Sequence, residues 1–317
     1  MNFHIASFHG AVERYGVGRG SVGHSLTYAV VTPARDEARN LPRLAECLAA
    51  QIVLPMAWLI VENGSTDDTL AVARSLEERH SWVEVCSLAG ENVPTRGGPI
   101  ARAFEAGLKA LETEPGVVVI VDADVSLEPE YFERLMEKFG AEPRLGMASG
   151  SRYELQRGEW RRHNQTGSTT VEGQCRAYRW ACLPAVLPLD DAMSWDGIDA
   201  IKANLGGWST RTFNDFGYRH HRPIGARDGS RATAWASEGR GAYYMGYRPY
   251  YLVLRAFHHS RREPAALGLL WGYASSAIRR SGRCPDKAVV DYVRDDQSLR
   301  NILRRTREAT GRSAKVS

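Results

Sequence analysis

From residue 26 to about residue 140 the apolar residues alternate between two rhythms. Short runs dense in β-branched residues, LTYAVVT (26–32), AWLIV (57–61), WVEVCSL (82–88) and VVVIVDADV (117–125), read as buried strands. Between them the apolar residues recur at helical spacing. Leu41, Leu44 and Leu48 follow a capping Asn40, and Pro33 closes the strand before them. A second helix is predicted from Asp67, a third is entered through Gly97-Gly98, and a fourth lies in LEPEYFERLMEKFG, with Pro129 in its first turn. Strand and helix alternating over more than a hundred residues predict an α/β fold: a mostly parallel central sheet flanked by helices on both faces.

Past residue 145 the rhythm changes. MASGSRY reads as a strand, 156–170 as a polar loop, VEGQCRAYRWACLPAV as a strand entering a short helix, and DGIDAIKANLGGW as a helix closed by Gly206-Gly207. STRTFNDFGYRHHRP reads as a strand and a turn, and 225–242, rich in Gly, Ser, Arg and Ala, as a mobile segment. Pro264 opens a helix in which Leu267, Leu270, Trp271, Ala274 and Ile278 can share one face, and a polar, basic helix is predicted over 286–309. The expected organisation is a leader over 1–25, a main domain over 26–240 with halves at 26–125 and 126–240, and a basic, aromatic-rich helical extension over 241–317.

Composition adds three points. The five cysteines are scattered with no CxxC pair, which excludes a disulfide framework and a zinc site and fits the reducing cytoplasm. The first 25 residues lack an apolar run of signal-peptide length, and no window reaches the roughly 18 uninterrupted apolar residues of a spanning helix. The net charge of +4 is uneven: residues 248–317 hold 15 Lys/Arg against 6 Asp/Glu. Tyr243, Tyr244, Tyr247, Tyr250, Tyr251 and Trp271 are interleaved there with Arg248, Arg255, Arg261 and Arg262. That mixture suits the headgroup region of an anionic bilayer, or equally a dimer interface or packing on the domain. No nucleic-acid-reading motif accompanies it.

The candidate chemistry lies at the strand ends, where open α/β sheets bind ligands. Arg35-Asp36-Glu37 follows the first strand, Glu62-Asn63-Gly64-Ser65-Thr66-Asp67-Asp68-Thr69 the second, and Asp122-Ala123-Asp124 the fourth. Carboxylates gathered this closely repel unless a cation or donors stand between them, and oxygen-rich sets suit magnesium or manganese with substrate phosphate. Strand alternation would set Asp122 and Asp124 on one side.

VVTPARDEARNLPRLAECL, IVENGSTDDT, TRGGPIARAFEAGL and VVIVDADV together resemble the family 2 glycosyltransferases with the Rossmann-like GT-A fold, over roughly residues 26–240. The resemblance implies a nucleotide-diphosphate sugar donor, a divalent cation (Mg2+ or Mn2+) at the DxD, and an inverting transfer to a hydroxyl acceptor, a glycan or lipid-linked glycan of the bacterial envelope. It implies that Pro33, Arg35, Glu37, Glu62, Asn63, Arg96, Gly97 and Asp122 line the nucleotide, that Asp124 with Asp122 holds metal, and that His220 completes the metal shell while His221 and Arg222 meet the diphosphate. The family often has Asp-Asp-Gly-Ser where this chain has Glu62-Asn63-Gly64-Ser65, which leaves the base undefined.

The family's acceptor-side base comes from an acidic pair opening a helix that ends in Gly-Trp. Aligning on Gly207-Trp208 makes Asp196 the base, with Trp195 in place of the first acid and Asp199 three residues on, on the same helix face. Asp196 as a simple helix cap is the alternative. Glu172 and Gln174 are the implied acceptor contacts, and Trp160 a residue closing over the donor. Transfer to an ionised polyprenyl phosphate, which needs no strong base, and a sugar-nucleotide-binding protein without turnover are the competing readings. Nucleotidyl transfer would need a Gly-rich first turn, which TPARDEARN lacks.

Overall fold

The computed structural model describes residues 26–88, 97–156, 158–163, 171–192, 194–222, 230–261 and 263–301. Nine strands form one sheet in the order β3-β2-β1-β4-β8-β6-β9-β5, with β7 added on β6. β1 (Tyr28–Ala34), β2 (Ala57–Asn63), β3 (Val83–Leu88) and β4 (Val117–Val121) pair in parallel. Each is followed or preceded by a crossover helix: α1 (Leu41–Ala49), α2 (Thr69–Arg79) and α3 (Gly98–Ala110). β1, β2 and β4 are apolar along most of their length because both faces are covered, whereas the edge strand β3 alternates buried and exposed positions. One core layer joins Tyr28, Trp58, Ile60 and Val119 to α1, α2 and α4 (Tyr131–Ala141). The other joins Val31, Leu59, Val61 and Ile120 to α3 and α6 (Trp195–Leu205).

The second half is mixed. β8 (Cys175–Arg179) runs antiparallel between β4 and β6 (Leu145–Gln156). β9 (Ser209–His220) is parallel to β6, and β5 (Val125–Leu127) antiparallel to β9. A 3-10 turn over Trp180–Cys182 and the four-residue α5 (Leu183–Val186) follow β8. α7 (Arg231–Tyr244), α8 (Pro249–Ser260), α9 (Gly268–Ile278) and α10 (Lys287–Asp296) complete the described chain.

Several sequence expectations change. Pro33 lies inside β1 rather than ending it, paired with Val61; the ladder to β4 has already stopped at Val31, so Pro33 has one neighbouring strand and its missing N–H is tolerated. The run VVVIVDADV is two strands, since the chain turns at Asp122–Asp124, where the Val125 N–H donates to the Asp122 carbonyl (3.2 Å). Residues 159–162 of the expected loop form β7 (Glu159–Arg162), a hairpin partner of β6. Residues 231–242, expected to be mobile, lie in α7, whose first turn is capped by the Ser230 hydroxyl accepting from the Thr233 N–H. That helix runs through residue 241. α9 shows an inversion of the usual helical arrangement: Leu269, Gly272 and Ser276 face inward; of the expected apolar face Trp271, Ala274 and Ile278 point out, as does Leu267 in the turn before the helix, while Leu270 is half-buried.

The inversion follows from how α9 meets α7. A Cβ on Gly272 would lie 1.9 Å from the Ala236 carbonyl oxygen, and one on Gly239 2.1 Å from that of Leu269. Only glycine lets the two backbones approach this closely, so the small side of α9 turns inward and the large residues turn away.

Candidate active site

The parallel register sets Ala34 beside Glu62, so the loops leaving β1 and β2 start together. They are stitched by four backbone N–H groups, with the Thr66 hydroxyl adding a fifth bond to Asp36 Oδ1 (3.1 Å). The Asp36 N–H donates to the Ser65 hydroxyl (3.1 Å), that of Glu37 to the Thr69 hydroxyl (2.7 Å), that of Ala38 to Asp67 Oδ2 (3.3 Å), and that of Thr66 to Asp36 Oδ1 (2.7 Å). The Thr66 N–H on Asp36 holds its carboxyl below the usual range. Glu62 Oε1 accepts from the Ser65 N–H (2.5 Å) at the head of the same turn, and Asn63 and Arg35 are half-buried beside it. Glu37 is buried, with Oε2 accepting from Asn40 Nδ2 (2.6 Å). Asn40 therefore spends its side chain on Glu37, not on capping α1. Gly97, with φ of 91°, admits the chain to α3, and Gly98 has no room for a side chain because Asp191 fills the space. Arg96 lies outside the described residues.

The turn after β4 brings Asp122 and Asp124 to one place. β5 then pairs with the end of β9, and the register Val125 opposite His220 lays the imidazole against the turn. One ligand atom from each of Asp122, Asp124 and His220 falls within 4.8 Å of the others. The shared location comes from the turn and the β5–β9 pairing, which corrects the expectation from strand alternation. His220 Nε2 stands 3.4 Å from Asp124 Oδ1. Its buried Nδ1 has no hydrogen-bond partner among the described residues. Two carboxylates and an imidazole with an unsatisfied ring nitrogen form a donor set that fits manganese or magnesium.

Arg222 and His221 diverge. Arg222 reaches back across the sheet edge to grip both Glu37 oxygens at 2.9 Å, and its NH1 lies 3.4 Å from Asp124 Oδ2. Burial alone would depress the guanidinium, but the bonds to Glu37 and the charge of Asp124 raise it above its ordinary value. His221 Nε2 is 2.8 Å from the Ser126 hydroxyl, and its ring meets Trp160 edge-on at 5.2 Å. Burial and the nearby Arg43 lower its pKa, favouring the neutral ring. Trp160 thus stands on β7 next to His221.

On the acceptor side the candidates separate. Asp196 is exposed in the first turn of α6, and a Cβ on Gly173 would sit 3.5 Å from its Oδ2. The next carbonyl, that of Gln174, accepts from the Asp122 N–H (2.9 Å). The segment 173–174 therefore bridges the DxD turn and Asp196. Asp199 does not share that surface. It is 1% exposed, ion-paired to Arg176 (2.5 Å) and accepts from the Tyr178 hydroxyl (2.5 Å). Burial pushes its carboxyl up, against the pull of Arg176. The i, i+3 spacing misled because α6 buries that side of its first turn. Glu172 is also buried, 3.3 Å from Arg152, and Gln174 Oε1 accepts from Arg152 (3.1 Å) and Tyr218 (3.2 Å). Both side chains are committed to the protein rather than presented to an acceptor.

Two arginines carry weight that the sequence did not reveal. Arg176 donates to the carbonyls of Val171 and Asp196 as well as to Asp199, so one guanidinium ties the 171–174 segment to the helix that bears Asp196. Arg43, on α1, donates to Asn40 Oδ1 (2.6 Å) and adds positive charge near His221. The only available signal was an Arg amid apolar strand residues at position 176. An apolar groove of about 610 Å³ lined by Leu108, Trp180, Leu183 and Leu187 contains none of these groups. The candidate chemical groups gather at the sheet edge instead.

An acidic turn at the carboxyl edge of a parallel half-sheet, faced by a His and an Arg from a mixed half, is the arrangement of a nucleotide-sugar-dependent GT-A enzyme. The sequence pattern described as "Glycosyl transferase family 2" matches residues 29–188, half of the chain, and the protein belongs to that family. A curated relative, 4,4'-diaponeurosporenoate glycosyltransferase of Staphylococcus haemolyticus, is 24% identical over 128 residues, 40% of this chain and 32% of that protein. The chain thus matches about a third of that relative's length. Among solved structures, the mannosyltransferase PcManGT from Pyrobaculum calidifontis, in complex with GDP-Man and Mn2+, aligns with a TM-score of 0.56 at 16% identity, covering 85% of this chain and 80% of that one. S. aureus TarS 1-349 in complex with UDP-GlcNAc aligns at 0.54 and 14% identity, covering 85% and 84%. The shared fold is GT-A.

Proposed function

We propose that the protein is an inverting glycosyltransferase that moves one sugar from a nucleotide-diphosphate donor to a hydroxyl on a glycan or lipid-linked glycan. The observation that carries this reading is the bridge of residues 173–174 between the Asp122–Asp124–His220 cluster and the exposed Asp196. It sets a donor-diphosphate site and a lone carboxylate on two sides of one short segment.

In the proposed reaction the acceptor hydroxyl gives its proton to Asp196 as its oxygen attacks the anomeric carbon. The bond from that carbon to the diphosphate breaks on the opposite side, which inverts the centre. Arg222, fixed by Glu37, faces the departing charge with a guanidinium that needs no reorganisation. Asp122, Asp124 and His220 would hold a divalent cation, which supplies Lewis-acid stabilisation of the diphosphate when bound. Pro33, Arg35, Glu62, Asn63 and Gly97 frame the nucleotide side. The two solved neighbours carry different nucleotide sugars, GDP-Man and UDP-GlcNAc, so the reading extends to the class of donor and not to the base.

Calorimetry with a panel of nucleotide sugars, with and without Mn2+, tests the donor half. One donor should bind with metal and lose affinity in Asp124→Ala; metal-independent or absent donor binding would refute it. Anomeric NMR of the product tests inversion. A polyprenyl phosphate acceptor would instead leave Asp196→Asn fully active.

A further inference from the structure

We infer that the outward faces of α8 and α9 form a seat for an anionic lipid surface. A helix in a soluble domain normally turns its apolar stripe inward. α8 does the reverse: it buries only Leu252 and Ala256, while Val253, Leu254 (56% exposed) and Phe257 (56%) lie on the side away from them. α9 repeats this, with Leu269 inside, Leu270 half-buried beside it, and Trp271 (69%) and Ile278 (79%) outside, together with Leu267 in the turn just before the helix. The two helices pack on each other and on α7 through Ala242, Leu252, Ala256 and Leu269. Six large apolar side chains at helical spacing on neighbouring helices exceed the scattered exposure of an ordinary surface.

The occupant follows from charge. Neither helix carries an Asp or Glu, and Pro249–Cys284 holds six Arg against the single Glu263, itself 3.0 Å from Arg231. Arg261, Arg279 and Arg280 are exposed at the ends of the two helices. Apolar side chains and a Trp, edged by arginines, match a headgroup boundary with anionic lipid. A two-fold contact would join two arginine-edged faces whose helices carry no carboxylate to answer them, which like charge opposes. α8 and α9 have 12 and 11 residues, and no described helix is long and apolar enough to cross a membrane. The two helices would therefore lie in the plane of the interface.

This inference does not depend on the assigned reaction, because vesicle binding needs no turnover. Full-length protein is floated with vesicles of 30% phosphatidylglycerol in phosphatidylcholine and with phosphatidylcholine alone. We expect binding to the anionic vesicles, weakened by salt, and at least a tenfold loss of partitioning in Leu254→Glu/Phe257→Glu and in Trp271→Glu/Ile278→Glu. Thermal unfolding should stay close to wild type in both, since these side chains are exposed. Arg279→Ser/Arg280→Ser should lose the preference for anionic vesicles. Three results would overturn the proposal: no binding by the wild type, equal binding to neutral and anionic vesicles, or full binding by both apolar variants. A dimer in sedimentation velocity that Leu254→Glu/Phe257→Glu dissociates, with vesicles left unbound, would assign the face to a second copy.

Discussion

Arg222 and Glu37, 185 positions apart, meet as a two-pronged pair with both contacts at 2.9 Å. The pair ties the loop after the first strand to the end of the last one, and its guanidinium also lies 3.4 Å from Asp124. Arg222→Lys keeps a positive charge but not the fork. We expect it to raise the donor KM at least tenfold. Glu37→Ala should cost about 1–3 kcal/mol of stability, the range for a charged hydrogen-bonded pair. Steady-state kinetics and thermal unfolding check the two effects.

Asp196 and Asp199 should part company under mutation. Asp199→Asn leaves the buried Arg176 without its counter-charge, so a loss of about 3–5 kcal/mol is expected in denaturant unfolding. Asp196→Asn removes an exposed carboxylate and should leave the unfolding midpoint nearly unchanged. Turnover should fall about 10²–10⁴-fold if that group takes the acceptor proton. Donor affinity by calorimetry should stay at the wild-type value.

In the Asp122–Asp124–His220 cluster, His220 would supply the nitrogen ligand. His220→Ala should weaken Mn2+ binding about 10-fold or more, the loss read by direct metal titration. Excess chelator should lower donor affinity in the wild type and change little in Asp124→Ala.

Gly272→Val should drive α9 off α7, because its Cβ position is 1.9 Å from a backbone oxygen that cannot yield. A loss of at least about 1–3 kcal/mol is expected. Gly140→Ala, where a Cβ meets nothing within 4 Å, is the control and should be neutral or stabilise by about 0.5–1 kcal/mol. Scanning calorimetry of both variants checks the contrast.

The parallel half was legible because its inner strands β1, β2 and β4 are buried on both faces and read as apolar runs, and the edge strand β3 still shows the alternation of a half-buried strand. The DxD turn was legible as a motif, though not its geometry: the carboxylates converge through β5 and β9, a pairing across some 95 residues that no local pattern carries. Asp199 shows the limit of helical spacing, which places a residue on a face without saying whether that face is covered. Arg176 was invisible for the converse reason, since a charged residue inside a strand pattern gives no hint that its partners lie on a later helix. The apolar pattern of α9 was legible as one face but carried no direction, because backbone contact at Gly239 and Gly272 decides which side turns in.

The same glycine contact has a consequence for reach. α7 also abuts α6: a Cβ on Gly241 would strike the Ser194 hydroxyl at 2.3 Å, just before the turn that bears Asp196. The layer from α9 through α7 to α6 is consequently a stiff bracket rather than a tether. A surface bound by α8 and α9, as proposed, would be held at a set standoff from that carboxylate, and acceptors would then be sorted by how far their reactive hydroxyl projects above it.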